Sequence, residues 1–437
     1  MFDTLSFLLD PNVQMVALSV VLLSSSAAMV GCFTFVRKRA LVGDAIAHAI
    51  LPGVCLAFLV SGDKNPWWLL GGAVLTGWLS LLSMDFMTRH SKLKPDTAIG
   101  AVLSVFFGLG ILLLTAIQHS GNGNQAGLDK FLFGKAASMG EDDVWVFGTV
   151  AVGLLTVLFL FFKEFKLLSF DTDFARTKGL PVRTLEFLLS TITVLSVATG
   201  IQAVGVVLMA ALLITPAAAA RFWTDRIQVM VWLAAGFGVL AGLVGVMISY
   251  AAPSMPTGPW IVMILSLVAL VSVVMAPGRG IWARRRLQRE NARKILHENV
   301  LKVFYQLHEA GQPHVTFEEI RGQRDFPYKP LRRALKRLQQ KAWISQGAKS
   351  YTLTHEGLEE SRRIVRLHRL WELYLNRRLN LMPDHVHNGA EAIEHILTPE
   401  IERQLLEELD HPELDPHQSQ IPYTDKNPER PHPVDQV

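Results

Sequence analysis

Apolar stretches long enough to cross a bilayer recur through the first two thirds of this 437-residue chain. They fall at about 13–36, 40–61, 66–84, 97–117, 144–162, 185–201, 203–220, 228–251 and 258–276, and a spanning helix needs roughly 20 such residues. The 185–220 pair is parted only by Gly200 and Gln202. Beyond Pro277-Gly278 the pattern changes to the spacing of water-facing elements. Asn291 to about Glu309 predicts an amphipathic helix through Ile295, Val300, Leu301, Phe304 and Leu307. Val315 to Ile320 opens a second, with Thr316 and Glu319 spaced as a capping box. Pro327 to Lys341 predicts a third, with Leu331, Ala334, Leu335 and Leu338 inward. Trp343-Ile344-Ser345 and Tyr351-Thr352-Leu353 then predict a hairpin around 346–350.

Charge follows the same division. Residues 1–278 hold 16 Lys+Arg, 15 Asp+Glu and three His, whereas 279–437 hold 26, 23 and eleven. The expected organisation is a polytopic membrane domain over 1–278 and a basic linker or helix over 279–297. A winged helix-turn-helix over 298–355, further helices over 356–422 and a Pro-rich charged tail over 423–437 follow. Near-balanced charge in both parts excludes an argument from overall pI. Cys32 and Cys55 both lie in apolar runs, so there is neither a disulfide framework nor a CxxC metal signal. Met1 to Asn12 lacks a basic n-region, and the run after it exceeds a signal peptide, so it reads as a retained first span. The basic loops (37–39, 89–94, 163–183, 221–226, 284–286) share one side if there are nine spans, which predicts the N-terminus outside and the C-terminal part in the cytoplasm.

Asp44 and His48 stand four apart in an otherwise apolar span. An acid at membrane depth is costly, so it faces a cavity, a partner or a passing ion, and Asp with His suits a divalent transition metal. On spacing alone a structural polar pair bonded to Ser or Thr neighbours is the alternative. Asp85 and Glu186 lie at span ends where snorkelling suffices, and Asp96 and Thr97 read as helix caps. Gly127 to Ala136 (GLDKFLFGKA) is no phosphate loop: its glycines are misplaced and Ala136 stands where Ser or Thr must meet Mg²⁺. Active transport therefore needs a separate ATPase. Between spans, Phe170 to Pro181 predicts a short helix capped by Asp171 or Thr172, exposing Phe174 and stopped by Gly179-Leu180-Pro181; periodicity alone equally allows an interfacial helix tying two spans together.

In the cytoplasmic part Lys329, Arg332, Arg333, Lys336 and Arg337 form the outer face of the third helix, open to DNA, to protein or to solvent. His368 and Glu372 are spaced i, i+4, and His387, Glu391, Glu394 and His395 make one stripe of a later helix. These six N and O donors, without thiolate, suit Mn²⁺, Fe²⁺ or Zn²⁺.

Three segments, GDAIAHAILPGVCLAFL (43–59), FDTDFARTKGLPV (170–182) and GVVLMAALLITPAAAARFWTDR (205–226), together resemble the zinc/manganese/iron ABC permease family over roughly 10–278. The resemblance implies a multi-pass bacterial inner (plasma) membrane protein with two permeases, identical or paralogous, two ATPase subunits and an extracytoplasmic solute-binding protein that delivers the metal. It implies that Asp44 and His48 line the metal path, and that 171–181, with Asp171, Phe174, Ala175 and Gly179, is the helix coupling to the ATPase. LHRLWELYL (367–375), VHNGAEAIEHIL (386–397) and HPELDPHQSQIP (411–422) resemble the metal-dependent repressors of the diphtheria-toxin-repressor and manganese-repressor type, over about 298–422. Carried over by position, His368, Glu372 and His387 fit one ligand set and Glu391, Glu394 and His395 the other. Glu391, where iron-type members have Cys, tilts the expectation to manganese. The family's first-helix acids fall at Asn299, a poor ligand, and Lys302, which does not ligate while charged.

The expected function is the permease subunit of an ATP-driven importer of Mn²⁺, with Zn²⁺ or Fe²⁺ next, and not itself an enzyme. A fused cytoplasmic metal sensor would feed back on transport. The alternatives are a membrane-tethered metal-dependent transcription regulator, or a siderophore or vitamin permease with no need of Asp44 and His48.

Overall fold

The structure, a computed structural model, describes residues 11–63, 65–119, 141–251, 257–379 and 399–423. It divides into two compact units, 1–284 and 285–437.

The first unit is helical: α1 Pro11–Val36, α2 Ala40–Ala49, α3 Leu51–Ser61, α4 Pro66–His90, α5 Pro95–His119, α6 Glu141–Leu160, α7 Phe162–Phe170, α8 Thr172–Thr177, α9 Val182–Val204, α10 Val206–Trp223, α11 Ile227–Ala251 and α12 Thr257–Met275. Among the described residues eight spans are long and apolar enough to cross a membrane, and Leu208–Trp223 is a shorter apolar helix in the place of the expected 203–220 span. α1 lies at the centre, packed against α9, α10, α11 and α6. Gly205, at φ +87°, ends α9 and starts α10. Glycine adopts that backbone at no steric cost, which a side chain there would not allow.

The expected 40–61 span is interrupted. Pro52 has no N–H to give the carbonyl of residue 48, and its ring crowds that carbonyl, so α2 ends and α3 begins at Ile50 and Leu51. The Thr76 hydroxyl of α4 lies 3.3 Å from the Ile50 carbonyl and 3.2 Å from that of Gly72 on its own helix. Gly53 and Gly72 bring α3 and α4 so close that an added Cβ on either would strike the other's carbonyl oxygen. Two end-of-span expectations change. Glu186 accepts from Arg37 at 2.6 Å rather than snorkelling alone. Asp96 sits in the first turn, not at the cap, because Pro95 takes the first helical position where a missing N–H costs nothing.

The second unit follows α13 Ile281–Glu309, with α14 Phe317–Gln323, α15 Tyr328–Gln340, strands β1 Ile344–Gln346 and β2 Tyr351–Leu353, α16 His355–Leu379 and α17 Pro399–Glu408. α13 starts ten residues earlier than expected. No helix breaker lies between Ile281 and Asn291, and Arg286 pairs with Glu290 at 2.9 Å one turn on. The capping box forms at α14: Glu319 N–H donates to Thr316 Oγ1, and Thr316 N–H to Glu319 Oε2 at 2.7 Å. β1 and β2 are antiparallel with Ile344 opposite Leu353, and Val315 bridges to Tyr351 on the free side. Val300, Val303, Phe304, Ile320, Leu331, Leu335, Leu338, Ile344 and Ile364 build one core. Leu370, Leu373, Leu406, Leu409 and Ile421 build another between α16 and α17.

Candidate functional site

α2 places Asp44 and His48 one turn apart. His48 Nε2 stands 3.7 Å from Asp44 Oδ1, with the imidazole 25% and the carboxylate 39% exposed. Phe107 of α5 meets the imidazole edge-on at 5.0 Å between centroids. No hydroxyl engages either side chain among the described residues, and His48 Nδ1 is buried without a partner. Two ligands about 2.1 Å from a tetrahedral ion lie roughly 3.4 Å apart, so the pair needs only a few tenths of an ångström to share one cation. Pro52 adds a consequence the spacing did not reveal: it leaves the His48 carbonyl without its helical N–H donor.

On α8, Asp171 caps: its Oδ1 accepts from Phe174 N–H at 2.8 Å. Thr172 does not cap, its hydroxyl turning back to the Leu168 carbonyl. The helix closes on Gly179 at φ +76°, with Gly179 N–H to Arg176 O and Leu180 N–H to Ala175 O, the paired bonds of a Schellman end. Phe174 is exposed under Lys178, 5.5 Å from its ring, and Phe170 is exposed beside it. Ala175 is wholly buried, whereas Asp171, Phe174 and Gly179 are exposed, and Phe174 is the large apolar side chain among the four.

In the second unit Lys329, Arg332, Arg333, Lys336 and Arg337 are all exposed on α15, and no ion pair holds any of them among the described residues. His368 and Glu372 are 5% and 3% exposed and joined at 3.0 Å. His387, Glu391, Glu394 and His395 lie outside the described residues, as does Gly127–Ala136. Among the described residues no group of three or more His, Cys, Asp or Glu could hold a metal. Sequence reasoning missed the pairs around this cluster. Arg366, also buried, donates to Glu402 at 2.6 and 2.9 Å, and Arg369 reaches Glu309 at 3.0 Å and Asp415 at 3.6 Å. Lys302, on α13, is 2% exposed. An apolar flank of Leu301 and Val303 signals its burial.

The family model for the ABC 3 transport family matches residues 10–276. The chain belongs to that family. A second model, the iron dependent repressor metal binding and dimerisation domain, matches 354–423. The manganese transport system membrane protein MntC of Bacillus subtilis is 40% identical over 383 residues, 87% of this chain and 88% of the relative. The zinc transport system membrane protein TroC of Treponema pallidum is 42% identical over 282 residues, 64% of this chain and 95% of that protein. Among solved structures, PsaBC from Streptococcus pneumoniae in complex with Fab matches with a TM-score of 0.59 at 31% identity, covering 66% of this chain and all of that one. The family transport chain is thus fused to a repressor-type metal binding and dimerisation domain.

Proposed function

We propose that this chain is the permease subunit of an ATP-driven importer that carries a divalent transition metal, manganese foremost and zinc or iron next. The observation that carries the reading is the Asp44–His48 pair: one carboxylate and one imidazole on an intramembrane helix, within reach of a shared ion and bonded to no hydroxyl among the described residues. The carboxylate supplies charge, and neutral imidazole favours a first-row transition metal over Ca²⁺ or Mg²⁺. The His48 carbonyl, released by Pro52, offers a further oxygen in the manner of broken transporter helices. One chain still gives an incomplete shell, so the ion binds loosely enough to leave, and a second permease, identical or paralogous, completes it. ATP hydrolysis belongs to a cytoplasmic ATPase that receives Phe174 on α8, and an extracytoplasmic solute-binding protein delivers the ion. The manganese assignment follows the Bacillus subtilis relative, and the zinc runner-up the Treponema pallidum one. The chain sits multi-pass in the bacterial inner membrane with its second unit in the cytoplasm.

Uptake of radioactive Mn²⁺ by cells expressing the chain with its ATPase and solute-binding protein tests this. Asp44→Ala and His48→Ala each abolish uptake at unchanged protein level, with Zn²⁺ and Fe²⁺ competing in the intact chain. Full uptake by both variants would refute it. The second reading, DNA binding by the cytoplasmic unit, is favoured by the unpaired basic face of α15. A salt-dependent gel shift, lost in Arg332→Ala/Arg333→Ala, decides it.

A further inference from the structure

Between Ile281 and Lys294 the chain carries six Lys or Arg against one acid, Glu290, whereas the rest of α13, 295–309, carries one Lys against two acids. Trp282, Arg285, Arg289 and Arg293 recur at spacings of three, four and four, so they share one face of α13, with Arg286 at its margin. All five are exposed, Trp282 by 66%. Arg286 pairs with Glu290 at 2.9 Å. No ion pair holds Arg285, Arg289 or Arg293 among the described residues. From Ile281 to Ile295 no side chain is buried, and the core of the second unit takes side chains only from Leu296 onward. A helical stretch of this length that is polar on most sides and packs on nothing is marginal in water. Its basic face is open to something outside the chain.

The chain itself ties this stripe to a membrane surface. α12, the last span, ends at Met275, and a tight turn follows in which Gly280 N–H donates to the Ala276 carbonyl at 2.9 Å. A Cβ on Gly280 would stand 2.5 Å from that carbonyl oxygen, so the turn depends on glycine. Arg284 N–H then donates to the Gly280 carbonyl at 3.0 Å, within the first turn of α13. At 1.5 Å per residue, Arg285 and Arg289 stand roughly 6 and 12 Å along the helix from Ile281. Those lengths are comparable with the screening length of about 8–10 Å at moderate salt. Trp282, exposed at the head of the stripe, carries the ring that settles at headgroup level. An anionic bilayer surface is worth about a fivefold gain in partition for each basic residue held near it. Guanidinium also meets a phosphodiester through two parallel N–H donors. A basic excess that only fixes orientation needs charge near the span end, not arginines repeated turn after turn on one face. A nucleic-acid backbone offers the same phosphodiester, but the stripe begins seven residues beyond a membrane span, which favours lipid.

We propose that the face of α13 bearing Arg285, Arg289 and Arg293 binds the anionic phospholipid headgroups of the leaflet at which α12 ends, so that lipid composition sets the order of the segment joining the last span to the second unit. The proposal takes from the transport reading only the cytoplasmic placement of that end, and its test needs neither metal nor uptake, so the two fail separately. Hydrogen exchange of the full chain is read on peptides covering 281–297, in nanodiscs of phosphatidylcholine alone or of an equal mixture with phosphatidylglycerol. Exchange is expected to be at least about fivefold slower with the anionic lipid, and the difference disappears in concentrated salt. Arg285→Gln/Arg289→Gln/Arg293→Gln loses the difference while peptides over 300–309 exchange as in wild type, and Arg284→Gln, off the stripe, keeps it. Equal wild-type exchange in the two discs overturns the proposal, as does a lipid effect of full size in the triple variant. Slowing by inorganic phosphate or duplex DNA in neutral discs, with none from phosphatidylglycerol, gives the stripe to a soluble anion and also overturns it. Should the triple variant not fold, the wild-type comparison and its salt dependence decide alone.

Discussion

Gly110 of α5 is where the integrity of the metal pair is most exposed to a single methyl group. A Cβ built there would lie 2.8 Å from Leu51 Cβ and 2.9 Å from both Leu51 Cγ and Cδ2. Carbon atoms settle at about 3.5–4.0 Å, so α5 and the start of α3 must part by roughly 0.7–1.2 Å. The whole stem of Leu51 is struck rather than its tip, so no rotamer change relieves the clash. Overpacking of this kind costs about 1–3 kcal/mol, against a gain of up to about 1 kcal/mol from replacing a helical glycine by alanine. The net is a loss of up to about 2 kcal/mol. Phe107, one turn earlier on α5, then leaves the edge of His48, and Cys55 loses its weak contact to the Gly110 carbonyl at 3.8 Å. Gly108→Ala is the control, because nothing lies within 4 Å of a Cβ there. Thermal melting in nanodiscs together with Mn²⁺ uptake is the assay. Gly110→Ala melts earlier and transports less, and Gly108→Ala melts at or slightly above wild type with uptake intact. Identical behaviour of the two variants would refute the close α3–α5 approach as the support of the pair.

Other outcomes follow from the same geometry. Pro52→Ala returns an N–H to the His48 carbonyl, so melting rises or holds while Mn²⁺ uptake falls severalfold; unchanged uptake removes that carbonyl from the ion's path. Gly179→Ala, forced to φ +76° with a Cβ, costs about 1–2 kcal/mol locally, and with Phe174→Ala it uncouples ATPase stimulation without loss of protein from the membrane. His297 is held below the ordinary imidazole pKa, first by burial and then by Lys341 and Arg337. The unfolded chain therefore takes up the proton first, and the second unit's stability, full at neutral pH and above, declines as pH falls through the usual imidazole range toward the depressed folded value. Hydrogen exchange across α13 between pH 7.5 and 5 reads this, and His297→Gln should flatten it.

Much of this architecture is legible from periodicity because lipid imposes one rule on long segments. Of the nine expected spans, eight are long and apolar enough to cross among the described residues, 40–61 as two helices in succession and 203–220 only as the shorter Leu208–Trp223. The Thr316–Glu319 box, the hairpin and the cap at Asp171 form where side-chain chemistry placed them. What was not legible depends on contacts between distant residues. No break was expected within 40–61, and only the fold shows α2 ending ahead of Pro52 and Gly53 and Gly72 letting α3 and α4 meet. Glu186 read as a snorkelling end because Arg37 is 149 positions away in the chain. Asp44 and His48 shared a face by spacing alone, yet that they have no hydroxyl partner was invisible until their surroundings were placed.

The two units treat internal charge in opposite ways, and that contrast separates passage from retention. In the second unit each buried acid of the described core has a fixed cationic or imidazole partner: Glu402 with Arg366, Asp415 with Arg369, Glu372 with His368. Such pairs are satisfied where they stand, and an incoming dication has to displace a bonded group before it gains anything. In the first unit Asp44 and His48 stay 3.7 Å apart, partly exposed, too far for a good hydrogen bond and near enough for one ion. A buried imidazole nitrogen without a partner is costly, and it persists because the fold around α2 holds it there: Phe107 blocks one edge and Pro52 denies the carbonyl its donor. A passing cation is held instead between Asp44 Oδ1 and His48 Nε2, for as long as it stays. Nothing in the pair holds it longer.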